Sequence, residues 1–304
     1  MALQSSGAIS LNNIAAEFGG STPHQLSEYY RNGGLVTSNN TNVPTSGTID
    51  FADFYGAVKQ ILVTLSSGAT NQNVQTLFGS NFTTNIPKLL VINSGVEIGA
   101  TSTNNSALTV PSGMAGTLTI QNAGTISGAG GAGAPSNGGN GGNGETALYI
   151  GSNGVTVTNT GTIRGGGGGG GRGSNGSNGN SGTVAGIYCN GGTGGTGGAG
   201  GNGQGYNQSQ SNGSGGSSGS APSCTYPNGG GLGSGGACDF ICSSVPGGWG
   251  SGRSGGGSGG NGGTYGNAGA NAGTNGGSAG KYIKTASGVS VSISNSGSLL
   301  GGAP

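Results

Sequence analysis

The chain has 304 residues, of which 79 are glycine, while only 5% are charged and the formal net charge is +1 at pH 7. Ordinary domains are roughly half apolar and about a quarter charged, so packed hydrocarbon cannot be the main source of order here. The near-zero charge also argues against nucleic acid or an anionic membrane as a partner, since both require clustered Lys and Arg.

Residues 1–10 lack the basic and apolar regions of a secretory signal. Apolar runs such as Lys88–Ile92 are far shorter than the roughly 20 residues that span a bilayer. We therefore expect synthesis in a cytosol without membrane insertion.

Residues 1–57 are predicted to form a small module that contains a helix. The spacing i, i+3, i+4 and i+7 of an apolar helix face occurs at Leu11, Ile14, Ala15 and Phe18. Ser10 precedes this run as an N-cap and Gly19 follows it, which predicts a helix over residues 11–18.

A second short helix is predicted to begin with Thr22 as its cap and Pro23 at its first position, and to continue through Tyr29. A module of this size buries only a marginal core, so we expect it to dock on another protein. The apolar candidates for docking are Leu11, Phe18, Tyr29, Phe51, Phe54 and Tyr55.

Residues 58–127 have the pattern of a β domain. Short β-branched runs separated by Ser, Gly and Asn turns occur at Ile61–Leu65, Lys88–Ile92, Ala107–Val110 and Gly116–Ile120. They predict an antiparallel sheet or a few coils of a β-solenoid.

One phrase, an alternating strand followed by Asn-x-Gly and then glycine, recurs along the chain. Its copies lie at Leu118–Ile126, Val155–Ile163 and Val289–Leu299. Such recurrence indicates a repeated structural unit.

Residues 128–304 are predicted to form a glycine-rich domain that ends in the closing β repeat. From Cys189 to Gly203 the non-glycine residues recur every third position, as CNGGTGGTGGAGGNG. A period of three fits an extended left-handed helix with three residues per turn, and without Cβ atoms such helices can approach until their backbones hydrogen-bond. We therefore predict a sandwich of polyglycine-II helices.

Two other interpretations compete with this one. A Gly/Ser tract is often a flexible linker, but a linker needs neither a strict period nor strand phrases around it. Collagen shares the period but needs abundant proline and an unbroken frame, whereas this chain has 9 prolines and the frame slips.

Two irregular islands, residues 204–227 and 237–253, interrupt the period and hold four aromatic residues together with an arginine. Aromatic and Arg side chains dominate binding hot spots, and Tyr, Ser, Gly and Asn are typical of antibody paratopes. The candidate binding residues are Tyr206, Asn207, Gln208, Tyr226, Phe240, Trp249 and Arg253. The alternative is that the aromatics fill gaps above the glycine helices.

The four cysteines are Cys189, Cys224, Cys238 and Cys242. They favour disulfides or buried thiols over a zinc site, because the paired C-x-x-C pattern is missing. We expect no metal and no cofactor.

Catalysis is not predicted. Paired carboxylates of the glycosidase type are not indicated, although Glu97, Glu145 and Asp239 could converge in a fold. His24 lies in a predicted helix turn and suits a surface or docking role better than a catalytic triad.

Two resemblances concern the origin of the chain. The segments SLNNIAAEFGG, STPHQLSEYYR and SGTIDFADFYGA resemble a short module at the front of many tailed-phage structural proteins. The NxGxI strand phrases that run into glycine helices with variable islands resemble the adhesins at the long-tail-fibre tips of T-even-like phages.

The second resemblance implies a layered sandwich of glycine helices whose distal loops contact a bacterial surface receptor, either a protein or a polysaccharide. The first implies a virion component assembled in the host cytoplasm, with residues 1–57 attached to other tail, fibre or baseplate proteins. A homotrimer is left open. The alternatives are a purely structural tail or baseplate protein and, more remotely, an ice-binding protein.

Overall fold

The computed structural model describes residues 2–38, 40–184, 186–206, 208–221, 223–225, 231–232 and 254–303. The first helix, α1, spans Leu11–Phe18. Asn13 N–H donates to Ser10 Oγ at 3.3 Å while Ser10 N–H donates to Asn13 Oδ1 at 2.9 Å, a capping box. The helix ends at Gly19, whose φ of +85° favours glycine. The prediction is confirmed at both ends.

The predicted start of the second helix is wrong. A 3₁₀ helix spans only Leu26–Tyr29, its cap residue is Gln25, and the Thr22–Pro23 peptide is cis. Burial of Tyr29, whose hydroxyl donates to Gly19 O at 2.8 Å, ties this short turn to the end of α1. A further 3₁₀ helix, Phe51–Phe54, follows Asp50, whose side chain accepts from two backbone N–H groups.

The N-terminal module has its own core. Its buried members are Ile14, Phe18, Tyr29, Val36, Val43, Phe54 and Ala57. The docking prediction therefore needs correction for Phe18, Tyr29 and Phe54, each 0% exposed: these side chains pack against one another inside the module. Among the predicted docking residues, Leu11 and Tyr55 are half-buried and Phe51 is 41% exposed.

Residues 61–300 contain a three-faced β-solenoid. Face 1 consists of β1 (Ile61–Leu65), β4 (Lys88–Ile92), β7 (Leu118–Asn122), β10 (Val155–Asn159) and β17 (Val291–Asn295). Face 2 consists of β2 (Ala69–Thr70), β5 (Glu97–Gly99), β8 (Thr125–Ser127), β11 (Thr162–Arg164) and β18 (Ser298–Leu300). Face 3 consists of β3 (Gln72–Asn73), β6 (Leu108–Val110), β9 (Leu148–Ile150) and β16 (Ile283–Thr285).

All pairs within the three faces are parallel. The solenoid alternative is therefore confirmed and the antiparallel sheet is wrong for this region. Each coil runs through the faces in turn, so successive strands in the chain turn a corner instead of forming a hairpin.

The core of the solenoid is made of the inward side chains of each strand. Leu90, Ile120 and Val157 lie in register on face 1 and are fully buried. Between β3 and β4, the helix α2 (Val74–Phe78) and a 3₁₀ helix (Gly79–Thr83) add Phe78 and Phe82 to this core.

The three copies of the repeated phrase stack directly on one another. Asn122, Asn159 and Asn295 occupy equivalent positions in β7, β10 and β17. Asn122 Nδ2 donates to Asn159 Oδ1, and Asn159 Nδ2 donates to Asn295 Oδ1, both at 2.7 Å. This asparagine ladder explains the Asn of the phrase, because the Nδ2 of each copy finds an acceptor. Asn122 Oδ1, at one end of the ladder, is buried without a hydrogen-bond partner among the described residues.

The glycine-rich part is inserted into the solenoid. The chain leaves face 2 after β8 and returns at β9, and it leaves again after β11 and returns at β16. Strands on both sides of the predicted boundary at residue 128 pair in register, β7 with β10 and β8 with β11. The closing repeat in turn stacks on β10 and β11. The division of the chain into three domains, residues 1–57, 58–127 and 128–304, stays a prediction.

In the described part of the chain, the insertions contain eight extended glycine segments. We number them in chain order as segments 1 to 8: 128–134, 140–146, 165–179, 191–204, 211–221, 254–264, 267–272 and 274–280. None of their described glycines has a positive φ, as expected for the left-handed, three-residue helix. Their hydrogen bonds run between segments with a period of three.

Segment 3 lies at the centre of this bundle. Its N–H groups donate in rotation to segments 2, 4 and 7, and its carbonyls accept from segments 1, 6 and 8. Because its stretch Gly165–Gly171 has six neighbours, no direction is left for a side chain: a Cβ at Gly168 would lie 1.9 Å from Gly277 O. The unbroken glycine run follows from this position.

The island predicted over residues 204–227 is largely regular. Segment 5 carries Ser211, Ser214, Ser217 and Ser220, one serine every third residue. Each serine is paired with one residue of segment 4. The serine donates its backbone N–H to the carbonyl of that residue, and the serine Oγ accepts the backbone N–H of that residue. The serine side chains thus replace a missing neighbour at the edge of the bundle.

Among the described residues, no helix is both long and apolar enough to cross a membrane.

Candidate functional site

A four-stranded antiparallel sheet, here called the distal sheet, lies at the end of the bundle remote from the solenoid. It consists of β12 (Gly182–Val184), β13 (Ile187–Asn190), β14 (Ser223–Thr225) and β15 (Gly231–Leu232). Segment 3 leads away from β11 into β12, and segment 4 returns from β13. The bundle therefore holds this sheet at a distance from the solenoid.

One face of the distal sheet is exposed. Thr183, Tyr188 and Thr225 form a cross-strand row, and all three are exposed, Tyr188 by 47%. Aromatic side chains between hydroxyls offer a large contact area together with hydrogen bonding, as in paratopes.

The opposite face of the distal sheet is buried. Cys189 and Cys224 are register partners on β13 and β14, with Ile187 packed against them. Cys189 is disulfide-bonded, which agrees with the disulfide alternative for this cysteine. Cys238 and Cys242 lie outside the described residues. This small apolar layer supports the exposed row.

Sequence reasoning missed Tyr188. The signal was present in GTVAGIYCN, where two short alternating runs flank Ala185-Gly186, a hairpin pattern. The hairpin was missed because its two short runs, which have a period of two, lie between longer glycine runs that have a period of three.

Tyr206 and Gln208, two predicted binding residues, lie at the solenoid end of the bundle instead. Tyr206 N–H donates to Gly128 O at 3.1 Å, and its ring packs on Gly99 so closely that a Cβ there would lie 2.0 Å from the ring. Gln208 Nε2 donates to Gly203 O at 2.8 Å. In the structure the Tyr206 ring fills the junction between bundle and solenoid, which is the gap-filling role that the alternative gave to the aromatic residues.

The other predicted binding residues lie outside the part of the chain that the structure describes: Asn207, Tyr226, Phe240, Trp249 and Arg253. Most of this undescribed sequence lies between β14 and segment 6, and β15 within it pairs with β14.

The junction between bundle and solenoid holds an ion pair. Arg164 Nη2 lies 3.0 Å from Glu97 Oε1, and the guanidinium stacks 3.8 Å from the centroid of the Tyr265 ring. Burial raises the pKa of Tyr265, and the carboxylate of Glu97 raises it further, against an opposing effect of Arg164. Tyr265 lies in the turn between segments 6 and 7, and its stacking on Arg164 of β11 anchors the bundle to the solenoid.

The acidic residues considered for catalysis are engaged elsewhere. Glu97 pairs with Arg164 and also accepts from Ser127 Oγ at 2.6 Å, while Glu145 accepts from the Thr146 N–H at 2.8 Å. Asp239 lies outside the described residues.

Charge is nearly absent from the long stretch of sequence that contains the distal sheet. From residue 173 to residue 263 the sequence contains one acidic residue, Asp239, and one basic residue, Arg253. Any contact made by the described distal surface must therefore use hydroxyl, amide and aromatic groups.

The solenoid thus carries a hydrogen-bonded glycine bundle whose far end presents the exposed hydroxyl and aromatic groups of the distal sheet. The family model of the phage tail fibre adhesin Gp38 matches residues 60–304, and the chain belongs to this family. It is thus a phage tail fibre adhesin and a component of the virion tail. No match was found among curated proteins.

The fold is similar to that in a solved structure, the gp37-gp38 adhesin tip complex of the bacteriophage S16 long tail fiber. The identity is 19%, the TM-score is 0.54, and the alignment covers 98% of this chain and 99% of the other. The predicted class, mostly β and irregular with a small helical module, is confirmed.

Proposed function

We propose that the adhesin contacts its receptor on the bacterial surface with the distal sheet and the loops that connect its strands. The observation that carries the proposal is the exposed row Thr183, Tyr188 and Thr225, presented at the end of a rigid bundle opposite the solenoid. The aromatic residues predicted from sequence, Tyr226, Phe240 and Trp249, flank or follow β14 in the chain and belong to the same proposed surface. The role is binding without catalysis.

The test is adsorption of the purified chain, labelled with a fluorophore, to host cells. Tyr188→Ala should weaken binding at least about tenfold, as expected for the loss of a central aromatic contact. Leu300→Ala, which removes another large exposed side chain but on the solenoid, is the matched control and should bind normally. Equal binding of both variants, with unchanged thermal unfolding, would reject the distal sheet as the contact surface.

We further propose that residues 1–57 dock the adhesin on a fibre protein. The similar solved structure is a complex of gp37 and gp38, which supports a fibre protein as the partner of this chain. The exposed Phe51 is the best candidate contact, and the half-buried Leu11 and Tyr55 are the other predicted docking residues that remain accessible. We expect assembly in the host cytoplasm, before the virion is released.

Docking and receptor binding can be separated. Phe51→Ala should leave binding of the free chain to cells unchanged but lower the number of adhesin copies found on purified virions. Normal incorporation of the Phe51→Ala chain would exclude Phe51 from the attachment surface.

A further inference from the structure

The sequence contains 13 Asn-Gly dipeptides, most of them in the glycine-rich part. Asn-Gly is chemically labile, because the backbone nitrogen of the glycine can attack the side-chain carbonyl of the asparagine. The N–C bond that forms closes a five-membered imide and ammonia leaves with the amide nitrogen. Water then opens the imide to aspartate or isoaspartate, so each event converts one neutral amide into a carboxylate.

The glycine bundle restrains both reacting groups at six of these dipeptides. The asparagines concerned are Asn140, Asn143, Asn175, Asn178, Asn202 and Asn261. Each of their Oδ1 atoms accepts a backbone N–H from a neighbouring segment, at 2.8–3.3 Å. The following glycine N–H donates in every case to a backbone carbonyl of another segment, at 2.8–3.0 Å.

At two further dipeptides within the glycine segments only one of the groups is held. Gly213 N–H donates to Asn261 Oδ1 and Gly276 N–H donates to Asn271 Oδ1. The side chains of Asn212 and Asn275 are exposed and make no hydrogen bond within the described part of the chain.

Asn137 is the least restrained. It lies in the exposed turn between segments 1 and 2, and its side chain makes no hydrogen bond to any described residue. Gly138 N–H has only a long contact of 3.3 Å to Pro135 O, and Gly138 and Gly139 have φ values of +138° and +93°. This turn is outside the period of three that organises the segments.

We propose that Asn137 is a site of spontaneous deamidation in the native adhesin and that the bundle protects the six restrained dipeptides from the same reaction. The attacking nitrogen must lose its lattice hydrogen bond, and the amide must rotate away from its donor, before the imide can close. At the six sites the reaction therefore waits for local opening of the bundle. At Asn137 no such opening is needed.

The order of reactivity follows from these contacts. Asn137 reacts first, Asn212 and Asn275 follow, and the six restrained sites are slowest. Charge would therefore enter the bundle at its turns and edges. This inference does not depend on the proposed receptor surface.

The experiment incubates the full chain at mildly alkaline pH in heavy-oxygen water and maps peptides by mass spectrometry. The incorporated oxygen marks conversions that occur during incubation and excludes those of sample preparation. A parallel sample is unfolded in urea. We expect the six restrained sites to react at least about tenfold more slowly in the native chain than in urea, and Asn137 to react at a similar rate in both.

A variant pair tests the role of the bundle. Gly168→Ala places a methyl group at the centre of the lattice, whereas Gly215→Ala adds one where nothing lies within 4 Å. Gly168→Ala should accelerate conversion at Asn175 and Asn178, and Gly215→Ala should not. Equal rates at all Asn-Gly sites in the native chain, or slow conversion of Asn137 relative to urea, would overturn the proposal.

Discussion

At the scale of single residues, some glycines of the glycine-rich part are required by packing and others are not. Those of Gly165–Gly171 are required because backbone from neighbouring segments occupies the space of every Cβ. Gly215 has open space around it, so its glycine is not a packing requirement. The sequence shows a run of glycines but not which of them the fold needs.

The first prediction follows from this contrast. Gly168→Ala should lower the free energy of unfolding by about 3 kcal/mol, since backbone must shift to admit the methyl group. Gly215→Ala is the matched control and should change stability by less than about 0.5 kcal/mol. Chemical denaturation measures both; equal midpoints would contradict the lattice geometry.

Lys88 is a buried cation held by carbonyls. It is 2% exposed, and its Nζ donates to Thr84 O, Ile86 O and Ala115 O at 2.7–2.9 Å. Burial lowers its pKa. The side chain thereby ties the loop before β4 to the loop before β7.

We predict that Lys88→Met costs about 3 kcal/mol of stability, because three carbonyls lose their donor in a buried setting. Lys284→Met, at an exposed position on β16, should be nearly neutral. Urea unfolding followed by circular dichroism compares the two, and indistinguishable curves would remove Lys88 from the list of stabilising contacts.

At the scale of elements, much of the fold was predictable from periods. Alternation predicted β1 and β4 at their exact bounds, and the repeated phrase predicted stacked units. The parallel pairing was not decided, because short alternating strands fit either a hairpin or a solenoid coil. Segment 5 was missed because most of its residues are not glycine, although its serines and Gly213, Gly216 and Gly219 each recur every third position.

The asparagine ladder gives a prediction at this scale. Asn159 is fully buried between its ladder partners Asn122 and Asn295. Its replacement by Ala removes the acceptor of Asn122 Nδ2 and the donor to Asn295 Oδ1 in the ladder. Asn159→Ala should therefore destabilise the solenoid by about 2 kcal/mol.

Asn295→Ala is the control, since Asn295 ends the ladder and is exposed. It should cost clearly less in thermal unfolding. A larger loss at Asn295 than at Asn159 would mean that the ladder is not the source of the effect.

At the scale of the whole molecule, the candidate site was only partly predictable. The enrichment of aromatic residues directed attention to the islands of the glycine-rich part, but Tyr206 belongs to the junction, and the exposed Tyr188 of the distal sheet lies outside the islands. The bundle is inserted between strands of faces 2 and 3, and this topology decides which of its turns face the solenoid and which face outward. The topology depends on strand pairing between residues that are far apart in the sequence.

The near absence of charged residues around the distal sheet in the sequence predicts how adsorption responds to salt. Residues 173–263 contain a single acidic and a single basic residue, so few ions are released or screened on contact. Binding of the purified chain to cells should change less than about threefold between low and physiological ionic strength. A steep decline with salt would indicate a charged contact surface.

The central claim is that a hydrogen-bonded glycine lattice holds the distal sheet away from the solenoid. Amide hydrogen exchange of Gly165–Gly171, followed by mass spectrometry or NMR, tests it most directly. The lattice predicts that these amides exchange as slowly as those of the solenoid strands β7 and β10. Exchange at the rate of an unfolded chain, with the solenoid still protected, would contradict it.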